Sequence, residues 1–282
     1  MTAPKAERRL QHALRNRWRN YTEELDRCRA NLSEKTVHDF RVAIRRFASL
    51  LRLVEDITGA REPERLRKKL KAQLDDLDEL RDIHVMLAEL TKVDSNIDTV
   101  IESLEADSRR AATRLKRKLA GIDTQKLVDL AAKVHKAVDA HPAGNVQTSI
   151  LESIDRAWRT VSKRIARVDK AKPVSFHRLR VAFKRFRYSV EDMRQIVGRL
   201  PDDLPARMDA FQTRLGEIQD ADVIVKLLTS ATRRNPQLAS TRDAYRTRRD
   251  EKIAQFTTEL AEGQTVSGFW RPDPQSTFPW ET

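Results

Sequence analysis

The sequence predicts an all-α fold of two four-helix bundles related by an internal pseudo-two-fold repeat. Three observations carry that expectation. Only seven Gly and ten Pro interrupt the 282 residues, and most of them lie between runs whose apolar residues recur at helical spacing. No extended β-branched alternation of the kind that marks strands is present. Three segments also recur in one order at nearly constant offset. Trp18-Arg19 returns as Trp158-Arg159, and His38-Asp-Phe-Arg41-Val-Ala-Ile-Arg45-Arg46-Phe47 returns as His177-Arg-Leu-Arg180-Val-Ala-Phe-Lys184-Arg185-Phe186. The stretch from Leu77 to Val85 returns from Leu215 to Val223. A duplicated unit of about 140 residues is too long for one helical hairpin and suits four helices.

In the first half, helices are expected at about 5–32, 35–58, 62–91 and 96–120. The first places Leu10, Leu14, Tyr21 and Leu25 opposite Arg8, His12, Arg15 and Arg19, with Cys28 in the apolar phase. The second gathers Phe40, Ile44, Phe47, Leu51 and Val54 opposite His38, Arg41, Arg45 and Arg52. The third holds the Leu77 to Val85 repeat, and the fourth sets Leu104, Leu115 and Leu119 against Arg110, Arg114 and Arg117. A shorter amphipathic segment, Gln125 to Ala140, links the halves and ends in the breaker cluster His141-Pro142-Ala-Gly144.

In the second half, helices are expected at about 146–169, 174–199, 202–233 and 237–262. The first of these carries Arg156, Arg159, Lys163 and Arg167 opposite Trp158, Val161 and Ile165. The next carries His177, Arg180, Lys184 and Tyr188 opposite Leu179, Phe183, Phe186, Val190 and Met193. The third holds the second copy of the Leu77 repeat. In the last, Arg242, Arg246 and Arg249 run in phase with Leu238, Tyr245, Phe256 and Leu260, so these arginines point inward or snorkel. The expected divisions are residues 1–140, 141–264 and a Pro- and Trp-containing tail, 265–282. The tail is expected to dock Phe269, Trp270, Phe278 and Trp280, because exposed Trp is unfavourable.

Net charge is +13 with a pI near 10.1, although 42 residues are acidic. Such an excess on folded helices costs stability by self-repulsion, which a polyanion relieves. The single Cys28 forms no internal disulfide, and a reduced, cytoplasmic protein is expected. No uncharged stretch approaches the roughly 20 residues of a membrane-spanning helix, and Met1 to Arg9 has no secretory apolar core.

Like charges one turn apart repel, so a face that repeats them points to a ligand. Arginine presents a planar fork of donors to phosphate oxygens, lysine a mobile charge, and histidine a donor that becomes cationic near neutral pH. Spaced about 5 to 6 Å apart along a helix, these groups suit a linear, densely charged chain. Readers of single-stranded nucleic acid interleave aromatics for base stacking, and here Tyr188 is the main aromatic in the cationic phase. A ligand made only of phosphate needs no stacking surface.

Catalysis finds little support, since no Gly-rich phosphate loop, metal-spaced Cys/His set or nucleophile motif appears. The acidic groups Asp78, Glu79, Asp82 and Glu217, Asp220, Asp222 are read as partners of neighbouring cations, with no metal or cofactor expected. His12, His84, His135 and His141 have no partner pattern and are read as structural.

The paired signatures His38-x-x-Arg41-Val-Ala-x-Arg45-Arg46 and His177-x-x-Arg180-Val-Ala-x-Lys184-Arg185-x-Arg187-Tyr188-x-x-Glu191 resemble those of the CHAD domain family. The Leu77 and Leu215 segments resemble its second shared motif, and the likeness runs over about residues 5 to 262. Asp78 stands where that motif usually has Gly, and His84 where it usually has Asp.

The resemblance implies two four-helix bundles with a basic groove or pore between them that binds inorganic polyphosphate, and an association with polyphosphate granules. Many family members are fused to a CYTH triphosphatase domain, whose Glu-x-Glu-x-Lys signature this chain lacks. Arg41, Arg45, Arg46, Arg180, Lys184 and Arg185 are then expected to hold phosphate oxygens. His38 and His177 would act as donors, with Arg52, Arg187 and Tyr188 in the same stripes. Arg8, Arg15, Arg19, Arg159, Lys163, Arg110, Arg114 and Arg117 would extend the track. The alternatives are a nucleic-acid-binding protein using the same faces and a phosphohydrolase with a carboxylate-bound metal.

Overall fold

A computed structural model describes residues 3–91, 97–141, 146–197, 200–233, 236–262, 266 and 268–281. Every regular element among them is helical: α1 (Ala3–Ala30), α2 (Glu34–Thr58), α3 (Arg61–Leu90), α4 (Asp98–Ala120), α5 (Thr124–Asp139), α6 (Val146–Ile165), α7 (Pro173–Asp192), α8 (Arg194–Val197), α9 (Leu204–Thr232) and α10 (Ala239–Ala261). A short 3-10 turn, Pro236–Leu238, leads into α10. No described helix is long and apolar enough to cross a membrane. Of the breaker cluster expected at His141 to Gly144, residues 142–144 lie outside the described residues.

The chain divides into two compact units that exchange segments along the sequence. The first comprises Met1–Leu87, Glu102–Ser153 and Tyr188–Gly198; the second comprises Ala88–Ile101, Ile154–Arg187 and Arg199–Thr282.

In the first unit α1 packs against α2, α5 and α8, and α2 also meets α5. α2 is well delimited. Ser33 accepts the Thr36 N–H at 3.2 Å as N-cap, and Gly59 closes the helix at φ 66°, a left-handed position that suits glycine. The apolar phase read from the sequence is the buried one: Phe40, Ile44, Phe47, Leu51 and Val54 are each at most 2% exposed. Tyr21 from α1 joins Phe40 and Phe47 with centroids 5.7 and 6.1 Å apart. Burying each such ring contributes about 2 to 3 kcal/mol. The Tyr21 hydroxyl donates to Gln73 Oε1 at 2.7 Å, and burial pushes its pKa up to about 12. Burial likewise raises the Cys28 thiol to about 12, which leaves it protonated and unreactive.

α5 corrects the reading of 125–140 as a connecting segment. Leu127, Ala131, Val134 and Val138 are buried, and Gln11 of α1 donates to the His135 carbonyl at 3.0 Å and to Asp139 at 2.6 Å. It is a packed core helix, capped by Asp123 on the Lys126 N–H.

The second unit is built on phenylalanine. Phe183 lies 4.5 Å from Phe211 of α9, which lies 5.4 Å from Phe256 of α10, and Trp158 of α6 meets Phe186 at a tilt with centroids 4.8 Å apart. The tail completes this core. Phe269 and Trp270 are 1% and 3% exposed and reach Phe183 and Phe186, with centroids 5.6 Å apart in both pairs. Asp155, itself buried, anchors the tail by accepting from Trp270 Nε1 at 2.7 Å and from the Arg271 guanidinium at 3.0 and 2.7 Å. Gly268 turns the chain at φ 90°, where a Cβ would press to 3.3 Å from Arg207.

One expected helix is two. The continuous helix expected at 174–199 breaks at Met193, where the Ile196 N–H bonds the Met193 carbonyl at 2.7 Å in a tighter turn. α7 therefore ends at Asp192, and α8 starts beside α1.

Candidate anion-binding faces

On α2, His38 stands exposed and Arg45, Arg46 and Arg52 are half-buried. Arg41 shares their helical phase yet is 6% exposed. Its guanidinium forms an ion pair with Asp78 of α3 and donates to the Leu74 carbonyl at 3.3 Å. Arg46 forms an ion pair with Glu191 at 3.0 Å and lies over the Tyr188 ring, 5.0 Å from its centroid. That contact explains Tyr188, expected in the stripe but 6% exposed. The ring supports Arg46 from beneath and offers solvent no stacking face.

Flanking faces differ in how far they are neutralised. Arg8, Arg15 and Arg19 of α1 are exposed, Arg19 at 3.9 Å from Glu23. Arg110, Arg114 and Arg117 of α4 are exposed too, but Arg110 pairs with Asp107 at 2.6 Å and Arg114 with Glu79 at 2.5 Å. Lys118 makes a further pair with Asp76. Such exposed pairs are worth at most about 1 kcal/mol each, so a polyanion displaces them at little cost.

On α7 the exposed His177 places Nδ1 2.7 Å from Gln219 Oε1. An amide oxygen only accepts, so Nδ1 carries the hydrogen, and His177 donates from Nε2 only when cationic. Arg180, Lys184 and Arg185 are half-buried. Gly216 of α9 faces Arg180, and a Cβ there would sit 3.9 and 4.0 Å from the guanidinium. Arg187 pairs with Asp209 at 2.6 Å, its side chain 11% exposed. Arg159 and Lys163 of α6 are exposed.

The acidic groups hold basic partners: Asp78 takes Arg41, Glu79 takes Arg114, Glu217 takes Lys252 at 2.6 Å, and Asp222 takes Lys226 at 2.7 Å and Arg249 at 3.4 Å. Arg249 thus turns inward, one of the two orientations its phase in α10 left open. The structure also gathers cations that helical phase did not single out. Arg9 and Arg17 of α1 meet Arg194 of α8 around a cleft that His12 lines. Arg17 and Arg46 share a second, shallower hollow with Glu24 and Asp39. The signal for the first cleft was a charged residue beside each end of a helix break, which is visible only once the break is located.

Comparisons with known proteins agree with this architecture. The CHAD domain profile matches residues 8–229. No curated protein matches significantly. Among solved structures, the crystal structure of the CHAD domain from the plant Ricinus communis superposes with a TM-score of 0.70 at 20% sequence identity, covering 92% of this chain and 88% of that one. That identity speaks for the fold alone. The profile match, spanning most of the chain and both motif copies, establishes that this protein belongs to the CHAD domain family.

Proposed function

We propose that this protein binds inorganic polyphosphate without catalysis, through the cationic faces of α2 and α7 extended by α1, α4 and α6, and that it associates with polyphosphate granules in the cytoplasm. The reading takes the chain as one unit used twice, each copy presenting one motif helix. Family membership supports it. The observation that carries it is the repeated two-sided helix: a fully buried aromatic and aliphatic face backs a series of His, Arg and Lys in both copies. Such backing fixes the cations on a rigid element, so little side-chain and no backbone entropy is lost when phosphates arrive. The burial of Tyr188 favours a ligand that needs no stacking over single-stranded nucleic acid.

Competition tests this. Long-chain polyphosphate should displace labelled single-stranded DNA or RNA at much lower concentration than the reverse. Equal or inverted potency would support the nucleic-acid reading. Phosphate release from polyphosphate in the presence of a divalent ion would support a hydrolase.

A further inference from the structure

Beside its cationic stripe, α7 turns a second row of side chains directly away from its core. Val174, Arg178, Val181 and Arg185 recur at i, i+4, i+7 and i+11 and fall within about 40° of one another, opposite Leu179, Phe183 and Phe186. Val174 is 50% and Val181 54% exposed, and Arg178 between them is exposed as well. Three large apolar residues are exposed among the described residues, and two of them share this row; the third is Val128 of α5. A single exposed valine needs no explanation, whereas two framing an arginine on one helix face form a pattern.

The chain around the row is densely basic. Residues 163–185 hold nine Lys or Arg against one acid, a net +8, whereas the matched residues 24–46 hold six against four, a net +2. The one acid, Asp169, is taken up in building the turn into α7. Its Oδ1 accepts the Ala171 N–H at 2.9 Å, its Oδ2 pairs with Lys172 at 2.9 Å, and its own N–H donates to Ser175 Oγ at 3.1 Å. Lys170 and Lys172 stand exposed on that turn. The first copy carries no such surface. At the matched positions α2 has Lys35, Asp39, Val42 and Arg46. Lys35 and Asp39 neutralise each other at 2.6 Å, Arg46 pairs with Glu191 at 3.0 Å, and Val42 is half-buried in the hollow that Asp39 and Arg46 also line.

Inorganic polyphosphate has no apolar part for the valines to meet. Protein interfaces anchor on Trp, Tyr and Arg, and valine is under-represented among their anchors. A layer of anionic lipid headgroups supplies both components: phosphates for the cations, and beneath them an apolar edge for the valines and the arginine stem. We propose that the outward row of α7 docks on an anionic lipid surface, with Val174 and Val181 entering the headgroup layer and Lys170, Lys172 and Arg178 meeting its phosphates. This surface does not depend on the function proposed above.

Co-sedimentation of the full chain with vesicles of phosphatidylglycerol and phosphatidylcholine, or of phosphatidylcholine alone, tests the surface. Partition onto the anionic vesicles should exceed that onto the neutral ones by about tenfold or more and should fall with salt. Val174→Ser together with Val181→Ser, at positions the core does not use, should lower that partition about fivefold and leave polyphosphate affinity native. A second readout compares the two copies. An environment-sensitive thiol dye on Val174→Cys should shift to the blue on anionic vesicles, while the same dye at the matched Lys35→Cys should not; Cys28, buried and protonated, stays unlabelled. Failure of the native chain to bind anionic vesicles, unchanged partition of the serine variant or equal dye shifts at the two positions would each overturn the proposal. Valine-dependent binding to poly-glutamate that exceeds binding to vesicles would overturn it in favour of an acidic protein. Vesicle binding as expected, with no binding of long polyphosphate, would uphold this surface and overturn the function proposed above.

Discussion

The two copies of the motif helix meet different residues at one matched position of the helix that covers each of them. In the first, Arg41 meets Asp78 and is drawn into a buried ion pair. In the second, Arg180 meets Gly216, whose missing side chain leaves room beside a half-buried guanidinium. The same arginine in the same pattern is therefore buried against an acid in one copy and half-buried beside a glycine in the other.

The copies are also secured differently. α7 leans on the tail, whose Phe269 and Trp270 pack on Phe183 and Phe186. Phe269→Ala should destabilise the second unit by about 3 to 5 kcal/mol in chemical denaturation, the cost of deleting a buried ring that its surroundings cannot refill. A change under about 1 kcal/mol would mean that α7 stands without the tail.

The helix ends differ too: α2 stops at a solvated glycine, α7 at the buried Asp192. The raised pKa of Asp192 means that the folded state favours its protonated form. Its contribution is present below the ordinary carboxylate range near 4 and is lost as pH rises through about 6, on the order of 3 kcal/mol in all. Stability measured from pH 4 to 8 should carry that fall, and Asp192→Asn, which keeps an acceptor for Arg17, should flatten it. An unchanged slope in the variant would assign the fall to other groups.

Smaller effects separate the two arginines. Arg41→Ala should cost about 2 kcal/mol of stability, less than a fully buried pair because Asp78 is half exposed, and should change polyphosphate affinity little. Arg180→Ala should instead weaken binding and reduce the log K against log[salt] slope by about 1, since one fewer cation releases its counterion partner. Loss of affinity from Arg41→Ala in a fully folded protein would erase the distinction.

Much of this was legible in the sequence because helical phase is a local property. All ten apolar positions assigned to the inner sides of the two motif helices, from Phe40 to Val54 and from Leu179 to Met193 at the end of α7, are buried. Phase could not report what a third helix brings over a face, and so Arg41 and Tyr188 were placed with the exposed cations although α3 and Arg46 cover them. The packing of α5 rests on Gln11, far away in sequence, and the break at Met193 has no Pro or Gly at the site to announce it. The cleft where Arg9 and Arg17 of α1 meet Arg194 of α8 was illegible for the same reason, since its members become neighbours only through that break.

The exchange of one side chain tests the central claim most directly. Gly216→Asp installs in the second copy the acid that neutralises Arg41 in the first, at a position where a Cβ makes ordinary contacts with Arg180. Titration with long-chain polyphosphate at low salt should show affinity reduced about as far as in Arg180→Ala, roughly tenfold, with helicity and thermal midpoint unchanged. Native affinity in a folded Gly216→Asp protein would contradict the account, because it would mean that the cationic face of α7 does not hold the ligand.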